Sequence, residues 1–177
     1  TPDKVIMVLS DGLGSGIKAA ILARLTAEII VTMLRSDAPL RDVIETVTGT
    51  LPACRERGLA YATFAILEIR HSDGRFKLVG FDSPPAILMK AGKPQHLETR
   101  SETICEKTLV FSEGGLDHGD FLGLMSDGVL YADKGLTMNP NWGWDEIASC
   151  LVRASRTGRG SAEGLVQAVM HETQQRY

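Results

Sequence analysis

The sequence predicts an α+β layer fold built on antiparallel sheet, and two observations carry that prediction. Segments of strand character follow one another without interruption through the middle of the chain, separated by turn signals rather than by helices. Helical periodicity is confined to two paired segments, one pair on each side of that run. Strands met consecutively pair as hairpins in antiparallel layers, whereas alternating strands and helices would build a parallel sheet. The length of 177 residues suits a single domain, 1–177, with a sizeable core.

The elements can be justified in order. Lys4 to Leu9 is an apolar run that reads as a strand buried on both faces. From Ile17 to about Arg35 the spacing becomes helical, with Ala19, Ala23, Ala27, Ile30 and Leu34 recurring at three and four residues. Ser36-Asp37-Ala38-Pro39 is a break with a proline at the next helix start, and a second helix is expected from Leu40 to about Arg57. So short a loop predicts an antiparallel helix pair.

Ala60 to Ile69 is rich in β-formers, and the Asp73-Gly74 turn leads to a partner strand over Phe76 to Phe81. After Ser83-Pro84-Pro85 a strand is expected over Ala86 to Lys90, then a turn over Ala91 to Pro94. Strands near Thr108 to Phe111 and Phe121 to Met125 complete the run. Helices follow over Trp144 to about Ser155 and Ser161 to about Arg176, joined by a basic loop.

Composition narrows the function. The apolar fraction is 44%, the charged fraction 23% and the net charge -3, which disfavours bulk attraction to nucleic acid or anionic lipid. The apolar stretches are too short and interrupted to span a bilayer. Cys54, Cys105 and Cys150 form no CxxC pair or zinc spacing and read as reduced thiols of a cytoplasmic protein.

Two stretches stand out. "VIMVLSDGLGSG" (Val5 to Gly16) and "FLGLMSDG" (Phe121 to Gly128) are both apolar runs that stop on Ser-Asp-Gly. The first is not a dinucleotide turn, because Ile17 stands where the third glycine would be, nor a P-loop, because Ala19 follows Lys18. Asp at a strand end can be a helix N-cap or a turn residue. Two such acids at the rim of one core would instead repel unless a cation joined them, and hard divalent metals bind carboxylate and carbonyl oxygens. Both readings remain open on residues alone. The four histidines are scattered; only His118, near the second stretch, is placed as a possible proton donor. Asp82, Asp117 and Asp120 are further acids near these motifs, and Asp120 reads as a turn residue. Trp142 and Trp144 read as packing residues of their loop.

Four segments together resemble a known family. "LSDGLGSGIKAAILARLTAEI" resembles the Asp-Gly-x-Gly-x-Gly motif and following helix of the metal-dependent protein serine/threonine phosphatase (PPM) superfamily, in its SpoIIE-type branch. "AYATFAILEI" resembles that branch's Thr-Phe strand, "GFDSPPAIL" its Asn-Pro-Pro turn with Asp82-Ser83 substituted, and "GDFLGLMSDGVLYA" its Gly-Asp to Ser-Asp-Gly-Val segment. They occur in family order across most of the chain.

The resemblance implies a four-layer α-β-β-α sandwich, two antiparallel sheets enclosed by helix pairs, with a two-metal centre of Mn2+ or Mg2+. Asp11 matches the acid that bridges the metals, Gly12 the glycine whose carbonyl joins the second metal's shell, and Asp127 a further carboxylate of the first. The metals would activate a water for attack on phosphorus, so no covalent intermediate is implied. The family also carries an acidic ligand on a preceding strand and another on a final strand. The expectation is a domain without these two edge strands. The implied partner is a phosphorylated signalling protein of bacteria, such as an anti-sigma-factor antagonist or related switch domain. The alternative is a non-catalytic partner-binding signalling module on the same fold, with a nucleotide-binding domain a weaker third.

Overall fold

The computed structural model describes residues 3–12, 16–50, 62–132, 142–157 and 160–176. In chain order the elements are β1 (Lys4–Gly12), α1 (Ile17–Arg35), α2 (Leu40–Thr50), β2 (Ala62–Arg70), β3 (Arg75–Phe81), β4 (Ile87–Lys90), β5 (Lys93–Gln95), β6 (Arg100–Ile104), β7 (Lys107–Gly115), β8 (Phe121–Gly123), α3 (Asp127–Leu130), α4 (Trp144–Arg156) and α5 (Ala162–Gln174). The chain divides into two compact units, 1–83 with 98–115 and 84–97 with 116–177. Each contains one antiparallel sheet and its own helices, so the α+β class is as expected.

In the first unit the strand order is β1-β2-β3-β7-β6. Helices α1 and α2 lie on one face. Ile30 and Leu34 of α1 and Val43, Ile44 and Val47 of α2 pack on Phe64, Ile66, Val79 and Leu109 of the sheet. The 3.6-residue period puts Ile30 inside, at 0% exposed, and leaves Ile21 of the same helix outside, at 58%. The helix pair is as predicted over 17–35 and 40–50; the remainder of the second helix, 51–57, lies outside the described residues.

β1 corrects one expectation. It is not buried on both faces: Val5 is 37% and Met7 47% exposed. Among the described residues β1 is the end strand of its sheet, paired with β2 alone, and α1 covers only its other face. A run of apolar residues therefore did not mean an interior strand here.

β6 was not anticipated. It joins β7 through Cys105-Glu106, both in the left-handed region at φ 48° and 62°. That is the two-residue geometry usually signalled by Asn-Gly, and neither residue announces it. β7 is also longer than expected, because Glu113 to Gly115 continue its pairing with β3.

In the second unit the order is β5-β4-β8. The turn expected over Ala91 to Pro94 is only Ala91-Gly92; Lys93–Gln95 returns as a strand paired with β4. Pro94 is tolerated because β5 is an edge strand of its sheet. Ile87 and Met89 of β4 pack with Ile147 and Ala148 of α4, and Trp142, Leu130 and Met125 close that core. Trp142 donates Nε1–H to the Val129 carbonyl at 2.8 Å, and Trp144 donates to the Ala86 carbonyl at 3.3 Å while stacking on His96 at 3.8 Å. Both tryptophans are packing residues.

Candidate metal centre

The opening motif sits at one end of β1. Asp11 and Gly12 are the last two residues of the strand and lie opposite Thr63 and Ala62 of β2. Asp11 is half-buried. The N-cap of α1 is Gly16, at φ 93°, so Asp11 belongs to the strand and is not the cap of that helix. Gly12 is required by packing. A Cβ built on it would lie 2.2 Å from the carbonyl oxygen of Ala19 and 2.8 Å from its Cα, both backbone atoms of α1. The missing side chain is what lets the first turns of α1 cross so close to the strand end.

Two hydroxyls bind this end of β1 to β2. Ser10 Oγ donates to the Thr63 carbonyl at 2.9 Å, and Thr63 Oγ1 donates to the Asp11 carbonyl at 3.4 Å. The Asp11–Gly12 peptide is thus held from β2 on one side and pressed against α1 on the other.

The second motif differs from its expected form. β8 stops at Gly123, and Asp127 is the first residue of the short helix α3, with Ser126 at the N-cap. The acid therefore begins a helical turn instead of ending a strand. It is exposed, in the second unit, whereas Asp11 is in the first. The Ser126 side chain makes no capping hydrogen bond.

The other acids fall into structural places. Asp120 accepts N–H from Asp117 at 2.9 Å and from Ala91 at 3.1 Å, and its side chain is only 6% exposed. The hydrogen bond from the Asp117 backbone, then the one from the Ala91 backbone and the charge of the Lys90 ammonium 3.9 Å away, hold its carboxyl below the usual range. Asp120 is the turn residue expected from the sequence: it pins the β4–β5 turn to the loop before β8. Asp117 is exposed and lies 3.8 Å from Lys90. Asp82 follows β3 at φ 48°, exposed, before the two prolines. His118 is exposed in a turn, and His71, His96 and His171 are exposed as well. A depression of about 930 Å³ on the first unit is lined by Lys4, Glu68, Arg75, Lys77 and Glu113. It lies at the Lys4 end of β1, away from Asp11, and its mixed charges have no counterpart in either motif.

The donor chemistry of Asp11, Gly12 and Asp127 fits a hard divalent cation: two carboxylates and a carbonyl, all oxygen. Among the described residues no group of three or more His, Cys, Asp or Glu side chains gathers that could hold a metal. Asp11 and Gly12, adjacent at the end of β1, offer one carboxylate and one carbonyl oxygen, and Asp127 belongs to the other unit.

The fold is that of PP2C-type domains. The PP2C phosphatase domain, with a fragment of the regulatory domain, of the cell-fate determinant SpoIIE from Bacillus subtilis superposes with a TM-score of 0.78 at 19% identity, over 99% of this chain and 51% of that one. The RsbU and RsbW domains of Rv1364c from Mycobacterium tuberculosis give 0.77 at 16% identity, over 94% and 47%. RsbX, solved in complex with magnesium, gives 0.66 at 16% identity, over 99% and 77%. The chain spans about half the length of the first two of these. No curated protein sequence is significantly similar to it. Over residues 1–177 the sequence matches the Stage II sporulation protein E family, and the chain belongs to that family. Among the described residues no helix is long and apolar enough to cross a membrane.

Proposed function

We propose that this chain is the catalytic domain of a metal-dependent protein serine/threonine phosphatase acting in bacterial signalling. The observation that carries the reading is the end of β1: an acid and a side-chain-free carbonyl, adjacent in sequence, held in place by β2 and by α1, within a chain that matches the SpoIIE family throughout.

Asp11, through its carboxylate, Gly12, through its carbonyl, and Asp127, through its carboxylate, would hold the cations. Their hard oxygens suit Mn2+ or Mg2+, and RsbX, of the same fold, is known with magnesium. When bound, a pair of such cations supplies an activated water and neutralises phosphoryl charge during in-line displacement. What the chain contributes is orientation. Asp11 and Gly12 end a strand that is paired with β2 and packed closely against the backbone of α1. The substrate is the phosphoserine or phosphothreonine of a signalling partner, of the anti-sigma-factor-antagonist or switch-domain kind, encountered in the cytoplasm. Residues 1–177 are read as one phosphatase-like domain. The RsbU–RsbW pairing within Rv1364c favours such a partner.

Substitution tests the reading. In the full-length protein with Mn2+ supplied, Asp11→Asn keeps the shape but removes the bridging charge. Hydrolysis of a phosphoserine peptide is expected to fall by orders of magnitude. Hydrolysis by Asp11→Asn at the wild-type rate would refute the assignment. Mn2+ binding without hydrolysis by the wild type would favour the non-catalytic signalling module instead.

A further inference from the structure

From the strap at the end of β1 we infer that Thr63 is a positioning residue for the proposed metal ligands, acting through the Asp11 carbonyl. The inference rests on the phosphatase reading and extends it to a residue that binds no metal itself.

The argument is geometric. The proposed donors Asp11 Oδ and Gly12 O belong to consecutive residues, and the peptide between them is planar. A hydrogen bond to the oxygen of that peptide restrains a rigid unit that carries both Cα atoms. The Asp11 side chain departs from one and the Gly12 carbonyl carbon from the other. Thr63 Oγ1 meets that oxygen at 3.4 Å from the directly opposing position of β2. Ser10 Oγ answers it by donating to the Thr63 carbonyl at 2.9 Å, so the two strands exchange side-chain bonds in both directions.

On the other flank the α1 backbone at Ala19 leaves no room for the Gly12 unit to retreat. The peptide is approached from two sides, and the Thr63 contact is a hydrogen bond that a point substitution can remove with little change of volume. Partners of this kind, one bond removed from a metal ligand, typically change metal affinity by about 10–100-fold when lost. An ordinary strand threonine would have no such effect, since Val fills the same space with equal or better strand preference.

The test compares Thr63→Val and Thr63→Ser with wild type by calorimetric titration of Mn2+, by amide hydrogen exchange at Gly12 without metal, and by melting temperature. Thr63→Val is expected to bind Mn2+ about tenfold or more weakly and to exchange the Gly12 amide faster, at an unchanged melting temperature. Thr63→Ser, which keeps the hydroxyl, restores both. Should Thr63→Val not fold, Ser10→Ala removes the other half of the strap and carries the same expectation. Wild-type Mn2+ affinity and Gly12 exchange in Thr63→Val would overturn the inference while leaving the phosphatase reading intact. A wild-type protein that takes up no Mn2+ overturns both.

Discussion

Gly12→Ala offers the sharpest test of how the strand end is built. The added Cβ would sit 2.2 Å from Ala19 O and 2.5 Å from Ala19 C. Contacts under 3.0 Å essentially never occur for a real Cβ, so strand and helix must separate by at least 0.8 Å. The obstacle is helix backbone, which cannot swing aside as a side-chain tip can. Overpacking of this kind costs about 1–3 kcal/mol. At roughly 2–4 °C per kcal/mol for a chain of this size, the melting temperature is expected to fall by about 2–12 °C. Gly49→Ala is the control. Gly49 lies in α2 with nothing within 4 Å of its added Cβ. There the same substitution gains helix propensity and is expected to stabilise by up to about 1 kcal/mol. Denaturant titration of both variants reads the two signs directly. Equal stability of Gly12→Ala and wild type would refute the close-packing account of Gly12.

Other substitutions separate inside from outside and test the buried turn acid. Ile30→Ala empties a position at 0% exposure and is expected to cost about 2–5 kcal/mol; Ile21→Lys, on the outer face of the same helix, is expected to stay within about 0.5 kcal/mol of wild type, and denaturant midpoints distinguish them. Because hydrogen bonds to its charged form lower the folded pKa of Asp120, its contribution is fully present above the unfolded value. That contribution is lost as pH falls through the lowered folded value. In Asp120→Asn this part of the acid limb of the stability curve should flatten, and stability near neutral pH should drop by about 1–3 kcal/mol; an unchanged acid limb would show that the Asp117 and Ala91 amides do not depend on the carboxylate.

Much of the architecture was readable because period and punctuation agreed. The spacing of Ala19, Ala23, Ile30 and Leu34 placed α1 at its observed bounds, and Asp73-Gly74 marked the β2–β3 hairpin. Where punctuation was unconventional the reading failed. Cys105-Glu106 takes a left-handed turn that tertiary pairing imposes, so β6 was missed. Pro94 was read as part of a turn but lies within a strand, because an edge position needs no inward N–H from it. Val5 and Met7 looked interior, since an apolar run carries no information about which of its faces is covered. At the site, the two Ser-Asp-Gly stretches singled out Asp11, Gly12 and Asp127 as residues. Their settings were not legible: one lies in a strand and the other starts a helix four residues beyond its strand. Thr63 was visible only as part of a strand motif, because its relation to Asp11 depends on register, which composition does not encode.

The division of the chain has a consequence for how it can be made or cut. The first unit takes 1–83 and 98–115, and the second takes 84–97 and 116–177. The polypeptide therefore passes from one unit to the other at three points, and no single scission yields either unit whole. A nascent chain that has emerged as far as residue 97 holds the β4–β5 hairpin of the second unit while the first still lacks β6 and β7. Since β7 stands between β3 and β6, the first sheet can close only afterwards. Folding of the two units during synthesis is thus interleaved, and a fragment ending between 97 and 106 leaves β3 without β7 and β4 without β8.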